Sequence, residues 1–297
     1  MKILITGANG LLGQAVVNLF KRETDYNLII SSFEEQPFFY TESHYYELDI
    51  TKRDALKKIM TELSPDVIIN CAAYTDVDKC ETERELCWRL NVDAVKNLII
   101  ASRMNNSRII HYSTDYVFDG KNGPYTEESK PNPLSFYGRS KLASENALLT
   151  SGVNFNIIRT VVLFGTGSKV KQNFALWLLN RLKNNEPVNI VDDQVSNSTM
   201  ADDLAYGTLK IIEQGNKGIY NIAGKDIISR FEFAMKLCEV FKFDKHMVNR
   251  IKTRDLNQPA PRPLKSGLIT LKAEAELGFK SMDTFEALSL MKIQLGM

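Results

Sequence analysis

Two side chains four residues apart define the chemistry this sequence can support. In Tyr137-Gly138-Arg139-Ser140-Lys141 a phenol and an ammonium fall at i and i+4, on one face of a helix. A free phenol titrates near ~10. A neighbouring ammonium favours phenolate and would bring the group towards neutrality, where a general acid or base works best. Such a pair can protonate a carbonyl oxygen as a hydride reaches the carbon, and the lysine can also hold a nicotinamide ribose. The same spacing recurs at Tyr206 and Lys210. That second pair falls mid-helix, after the last strand expected to reach a cofactor, and reads as coincidence. Tyr137 instead follows a long loop after His111-Tyr112-Ser113-Thr114. Ligands of a parallel sheet sit at the carboxyl ends of its strands, so Thr114 and Tyr137 can meet there. The Thr114 hydroxyl could bond the substrate oxygen beside the tyrosine. Ser113 and Thr114 could equally do no more than turn the chain.

A second motif, Gly7-Ala8-Asn9-Gly10-Leu11-Leu12-Gly13, follows an apolar run and opens a helical one. Its glycines suit a tight turn, close approach of backbone to a pyrophosphate, and close helix–strand packing. The helix start adds free N–H groups and a positive dipole end. Gly7, Asn9, Gly10, Leu11 and Leu12 are therefore candidate cofactor contacts. The end of the second strand ordinarily separates the two nicotinamide cofactors: an acid holds the NAD ribose, an arginine the NADP phosphate. Here that place is Ser31 or Ser32, followed by Phe33 and Glu34. It offers neither a clear acid nor a clear arginine, and Ser31 could donate to either group. The expected cofactor is NADP(H) or NAD(H), with a lean to NADP.

Positioning these groups takes alternating strands and helices. Apolar, β-branched runs at 2–6, 28–32, 46–49, 66–70, 108–113 and 155–159 read as strands buried on both faces. Helices are expected at 11–21, from Thr51 with Asp54 as an approximate capping box, at 83–105 and at 137–149. This alternation predicts an α/β fold, a doubly wound parallel sheet of the Rossmann type. Beyond Arg159 the pattern loosens into helices at 173–183, 200–213 and 230–241, a strand at 218–222, and an irregular Pro-rich loop at 258–263. Residues 1–168 and 196–224 are expected to form the dinucleotide-binding domain. Residues 169–195 and 225–297 would form a smaller C-terminal substrate-binding domain.

Composition narrows the partners. The 297 residues are 44% hydrophobic and 25% charged, as in an ordinary globular chain. Lys and Arg number 37 against 36 Asp and Glu, with no basic stripe, which argues against nucleic acid. No apolar run approaches the ~18 residues of a membrane span, and the N-terminus does not read as a signal peptide. Cys71, Cys80, Cys87 and Cys238 form no C-x-x-C pair, and His44, His111 and His246 do not cluster with them. Buried free thiols in a reducing cytoplasm are expected, without a metal site.

Several segments together resemble one family. They are Gly7 to Gly13, Asn70-Cys71-Ala72-Ala73-Tyr74-Thr75, Leu90-Asn91-Val92-Asp93-Ala94, Ser113-Thr114-Asp115-Tyr116-Val117-Phe118-Asp119-Gly120 and Tyr137 to Lys141. Asp192-Asp193-Gln194 and Pro261-Arg262-Pro263 with Ser266 complete the set. The chain resembles the dTDP-4-dehydrorhamnose reductases, which are extended short-chain dehydrogenases/reductases. The resemblance implies hydride delivery to C4 of a 4-keto-6-deoxy nucleotide sugar. Thr114 would orient the keto oxygen, Tyr137 protonate it, and Lys141 tune Tyr137 and hold the cofactor ribose. Asp49 and Ile50 would flank the adenine, and Ala72, Ala73 and Tyr74 would pass under the cofactor. Asn91 would support the lysine. Asp115, Tyr116, Val162, Asn173 and Gln194 would contact substrate, and Arg262 its diphosphate.

Read as residues alone, three of these have plainer roles: Asp49 as helix-start punctuation, Asn91 as a buried polar residue, and Arg262 as a solvated loop cation. The family typically carries a Trp facing the sugar where this chain has Val162, which leaves the sugar open. A 4,6-dehydratase would place Asp-Glu directly after the threonine, whereas Asp115 is followed by Tyr116. A nucleotide-sugar epimerase shares the triad and stays an alternative. The chain also resembles the regulatory β subunit of methionine adenosyltransferase, through Gly10 to Gly13, Leu90 to Ala94 and Tyr116 to Gly120 with Pro124-Tyr125. That likeness implies a cofactor-binding partner subunit without turnover. A cytoplasmic homodimer acting on a nucleotide sugar is the expected form.

Overall fold

The computed structural model describes residues 1–41 and 43–297. Strand β1 (Lys2–Thr6) runs through the glycine loop into α1 (Leu11–Glu23), followed by β2 (Asn27–Ser32), β3 (Tyr45–Glu47), α2 (Arg53–Leu63) and β4 (Val67–Asn70). Next come α3 (Lys79–Thr82), α4 (Arg84–Trp88), a π turn (Arg89–Asp93), α5 (Ala94–Ser102), β5 (Arg108–Thr114), α6 (Phe136–Leu149) and β6 (Phe155–Thr160). The remainder is β7 (Leu163–Phe164), α7 (Phe174–Lys183), β8 (Val188–Val191), β9 (Val195–Ser196), β10 (Thr199–Met200), α8 (Ala201–Gln214), β11 (Gly218–Asn221), β12 (Ile228–Ser229), α9 (Arg230–Phe241), β13 (Val248–Ile251), α10 (Leu271–Leu277) and α11 (Thr284–Gln294).

Among the described residues the central sheet has seven parallel strands in the order β11-β6-β5-β4-β1-β2-β3. Side chains alternate between its faces. Ile3 and Ile5 of β1 join α1, α8 and α10 in one core, and Leu4 joins α2 and α5 in another. Both faces are therefore buried, which is why the apolar centres of β1, β2 and β4 do not alternate with polar residues. The strand order reverses between β1 and β4, and ligands of such sheets bind in the crevice that opens there. The two strands are in register at Thr6 and Asn70, and Cys71 N–H continues the ladder to the Thr6 carbonyl at 3.0 Å. A third core joins α7, α9 and α11 with the parallel pair β8–β13 beyond the sheet.

Two local expectations fail. The second helix starts at Arg53, with no side-chain cap at Lys52. Asp49 Oδ1 instead accepts the Thr51 N–H at 2.9 Å and hydroxyl at 2.7 Å, a local turn that competes with the helix start. The long helix expected over 83–105 runs without interruption from Arg84 but ends at Ser102, and it carries a π turn over Arg89–Asp93. Cys80, Cys87 and Cys238 are buried, whereas Cys71 is only partly covered. Among the described residues no helix is long and apolar enough to cross a membrane.

Candidate active site

The site is assembled where β5 ends. Thr114 accepts the Tyr116 N–H at 3.2 Å and caps a single 3-10 turn over Asp115–Val117. Helix α6 starts on that turn, with Ser135 accepting the Gly138 N–H at 3.1 Å as its N-cap. A Cβ at Gly138 would sit against the Tyr116 carbonyl oxygen, well inside van der Waals contact. Only glycine lets the two segments approach this closely. The approach brings the Tyr137 phenol beside the Thr114 hydroxyl, whose own bonds go to the Asp115 carboxylate at 3.1 Å and the Tyr116 N–H. Both residues are buried, and the Tyr116 ring meets the Tyr137 ring edge-on at 5.7 Å.

Burial pushes the Tyr137 phenol well above its ordinary value, the Asp115 charge adds to this, and the nearby Thr114 hydroxyl opposes it. Lys141 is not among the groups acting most strongly on it, contrary to the expected tuning. The lysine is itself 3% exposed, and burial lowers it to about 8, while the Glu145 charge one turn along resists the shift. Its Nζ lies 3.4 Å from His111 Nε2. Thr6 donates to Asn70 Oδ1 at 2.8 Å, so the Asn70 amide is turned to donate to His111 Nδ1 at 3.2 Å. That assignment puts the imidazole proton on Nε2, facing the Ser144 hydroxyl at 3.0 Å. The neutral imidazole then has no lone pair for Lys141, which leaves the ammonium free for another acceptor. Asp115 is raised to about 6 by burial, against its bonds from Ser266 and Thr114 and the Arg230 charge.

The glycine loop fits a dinucleotide pyrophosphate. A Cβ at Gly7, where φ is +66°, would lie 2.6 Å from the Ala72 nitrogen, so the turn closes on the chain leaving β4. Helix α1 follows Gly10, its N-cap, without a side-chain cap or an acid in its first turn, which leaves its N–H groups and dipole for an anion. Leu12 packs into the core and Leu11 is partly buried, so the backbone of this turn is what faces a ligand. Ala72 and Ala73 lead to Tyr74, whose backbone N–H and carbonyl both bond the Asn91 side chain, at 2.8 and 3.0 Å. Asn91 also donates to Ser140 at 3.0 Å and makes no bond to Lys141. It therefore pins the loop rather than supporting the lysine as expected.

Other expected contacts are committed elsewhere. Ser31 donates to the Ile5 carbonyl at 3.0 Å and is fully buried, so it presents no hydroxyl to a cofactor. Asn9 donates to Glu34 at 2.9 Å and accepts the Phe38 N–H at 2.9 Å, which makes it a brace for the 34–38 loop. Ile50 packs under the sheet, and Asp49 holds Thr51.

On the substrate side, Asn173 caps α7, accepting from Leu176 at 3.1 Å and donating to the Gly165 carbonyl at 2.9 Å. Gln194 donates to Thr253 at 3.2 Å. Val162 is partly buried at φ +34°, a strained backbone for a β-branched residue. Arg262 is not a free cation: it grips Asp78 with both nitrogens, at 3.0 and 2.7 Å, and ties the Pro-rich loop to the chain after β4.

The cation missed from sequence is Arg230, the first residue of α9. Its guanidinium lies 4.8 Å over the Phe174 ring and faces Asp115 and Tyr116. Its buried Nη1 has no hydrogen-bond partner among the described residues. A cation in the first turn of a helix opposes the dipole, and that misplacement was the available signal. Tyr206 and Lys210, the alternative pair, lie partly exposed on α8, with Lys210 bonded to Glu213 at 2.8 Å.

The profile of the RmlD substrate binding domain family matches residues 1–295. A probable low-salt glycan biosynthesis reductase, Agl14, from Haloferax volcanii is 34% identical over 94% of this chain and 93% of its own. The crystal structure of a dTDP-4-dehydrorhamnose reductase from Clostridium acetobutylicum superposes with TM-score 0.89 at 35% identity, covering 100% of both chains. One from Bacillus anthracis, in complex with NADP, gives TM-score 0.87 at 29% identity, covering 99% of each chain. The methionine adenosyltransferase 2 subunit beta of Xenopus laevis is 31% identical over 92% of this chain and 81% of its own.

Proposed function

The chain belongs to the RmlD substrate binding domain family, and from that premise we propose that it is a nucleotide-sugar reductase using NAD(P)H. Its substrate is a 4-keto-6-deoxy sugar nucleotide such as dTDP-4-dehydrorhamnose, reduced at C4. The observation that carries this reading is the meeting of Thr114 and Tyr137 at the end of β5, beside buried Lys141. A reduced nicotinamide, when bound, supplies the hydride.

Thr114 orients the keto oxygen. Tyr137, held as a neutral phenol, donates its proton to that oxygen. Lys141, with no acceptor at His111, holds the nicotinamide ribose. Asp115 and Tyr116 line the sugar pocket, and Arg230 meets the diphosphate in place of Arg262. Residues 1–168 and 196–224 bind the cofactor, and residues 169–195 with 225–297 bind the substrate.

The test is loss of NADH or NADPH absorbance when the purified protein meets dTDP-4-dehydro-L-rhamnose. Turnover supports the reading. The likeness to the methionine adenosyltransferase subunit favours a second one, a partner subunit that binds the cofactor without turnover. Tight cofactor binding with no reaction across a panel of 4-keto sugar nucleotides would put that reading first.

A further inference from the structure

The end of β2 carries a charge whose place is visible only in the fold, and its consequence rests on the reductase reading above. The glycine loop is bonded directly to this strand end, Ala8 N–H donating to the Ser31 carbonyl at 2.9 Å. Beyond Ser32 the chain turns back, so that Glu34 faces the loop. Ser32 donates to Glu34 Oε2 at 2.7 Å and Asn9 donates to the same oxygen at 2.9 Å. Tyr45 donates to the Glu34 carbonyl at 2.5 Å, and Asn9 also bonds the backbone at Gln36 and Phe38. The carboxylate is thereby fixed between the phosphate-binding loop and the strand end, and both side-chain donors fall on one of its oxygens.

We propose that Glu34 selects NADH over NADPH: its free oxygen accepts from the adenosine ribose, and its charge repels a 2′-phosphate. Burial would raise this carboxyl, but the Ser32 and Asn9 bonds hold it below the usual carboxylate range, so it is ionised at neutral pH. An acid at the end of the second strand is the arrangement that holds an unphosphorylated ribose. Lys169 lies over the Phe38 ring at 5.5 Å, and among the described residues no cation forms an ion pair with Glu34. A 2′-phosphate entering here would meet a fixed anion without an arginine fork to balance it.

The experiment is direct titration of the purified protein with NADH and NADPH, read by cofactor fluorescence without substrate. NADH is expected to bind roughly tenfold tighter or more. In Glu34→Gln, which keeps an acceptor for Ser32 and Asn9 but loses the charge, that ratio should fall towards one through tighter NADPH binding. Equal or tighter binding of NADPH by the unaltered protein overturns the proposal. So does a ratio that Glu34→Gln leaves unchanged. If neither cofactor binds, the reductase reading falls, and this inference with it.

Discussion

Tyr137 is buried against Asp115 and kept as a phenol far into the alkaline range. That suits a proton donor. Asp115, at about 6, changes charge on the acid side of the working range, and Lys141 does so on the alkaline side. Its folded value of about 8 lies below the ordinary ~10.4 of a lysine, so it is an ammonium below pH 8 and an amine above it. The rate of the proposed reduction should therefore fall as pH rises through about 8. A kcat/KM profile flat from pH 6 to 9.5 would contradict this role. That Tyr137, Lys141 and Thr114 would lie together was legible in the sequence, because a helix and a strand end fix their spacing. Their electrostatics were not, because desolvation depends on what covers them. Asn9, Ser31 and Arg262 were misread for a related reason. Their partners lie 25, 26 and 184 residues away in the chain, and a motif does not show which polar group has already been claimed.

At the scale of elements, the site depends on α6 starting directly on the turn after β5. Gly138 makes that approach by lacking a side chain, and the atom a Cβ would strike is backbone, which cannot swing aside. Gly138→Ala should displace Tyr137 from Thr114, cost about 1–3 kcal/mol of stability, and reduce turnover by tenfold or more. Denaturant unfolding and steady-state rates on the same variant check both halves. An active, fully stable variant would show that the contact can relax. The seven strands of the central sheet and most helices were legible, since runs apolar on both faces mark a sheet covered on two sides. The π turn at Asn91 was not legible. It coincides with the bonds of the Asn91 side chain to the Tyr74 backbone, 17 residues away in the chain.

Across the whole molecule, the sheet and its two covering layers place every proposed catalytic group at one edge of the crevice. The lobe of α7, α9 and α11 brings Arg230 to it. Stability should carry the signature of Asp203, which joins α8 to the chain entering α11 by accepting the Met282 N–H at 2.9 Å. Burial raises this carboxyl to about 6 against an unfolded value near ~3.9. The folded protein holds the extra proton between those values, so this group's contribution declines as pH rises from about 4 through 6. Asp203→Asn removes the charging step and should raise the melting temperature at pH 7 but not at pH 4. An equal shift at both values would contradict the assignment. The second lobe was the least legible part of the chain, because its short strands pair across gaps of 60 residues rather than following one another.

The central claim, that Tyr137 donates the proton while Lys141 and the glycine loop hold the cofactor, comes down to Tyr137→Phe. Its turnover of dTDP-4-dehydro-L-rhamnose should fall by roughly 10²–10⁴-fold, with cofactor affinity changed by less than about threefold. Tyr206→Phe in the same assay serves as the control and should remain active. A Tyr137→Phe protein that reduces the sugar at the unaltered rate would contradict the account.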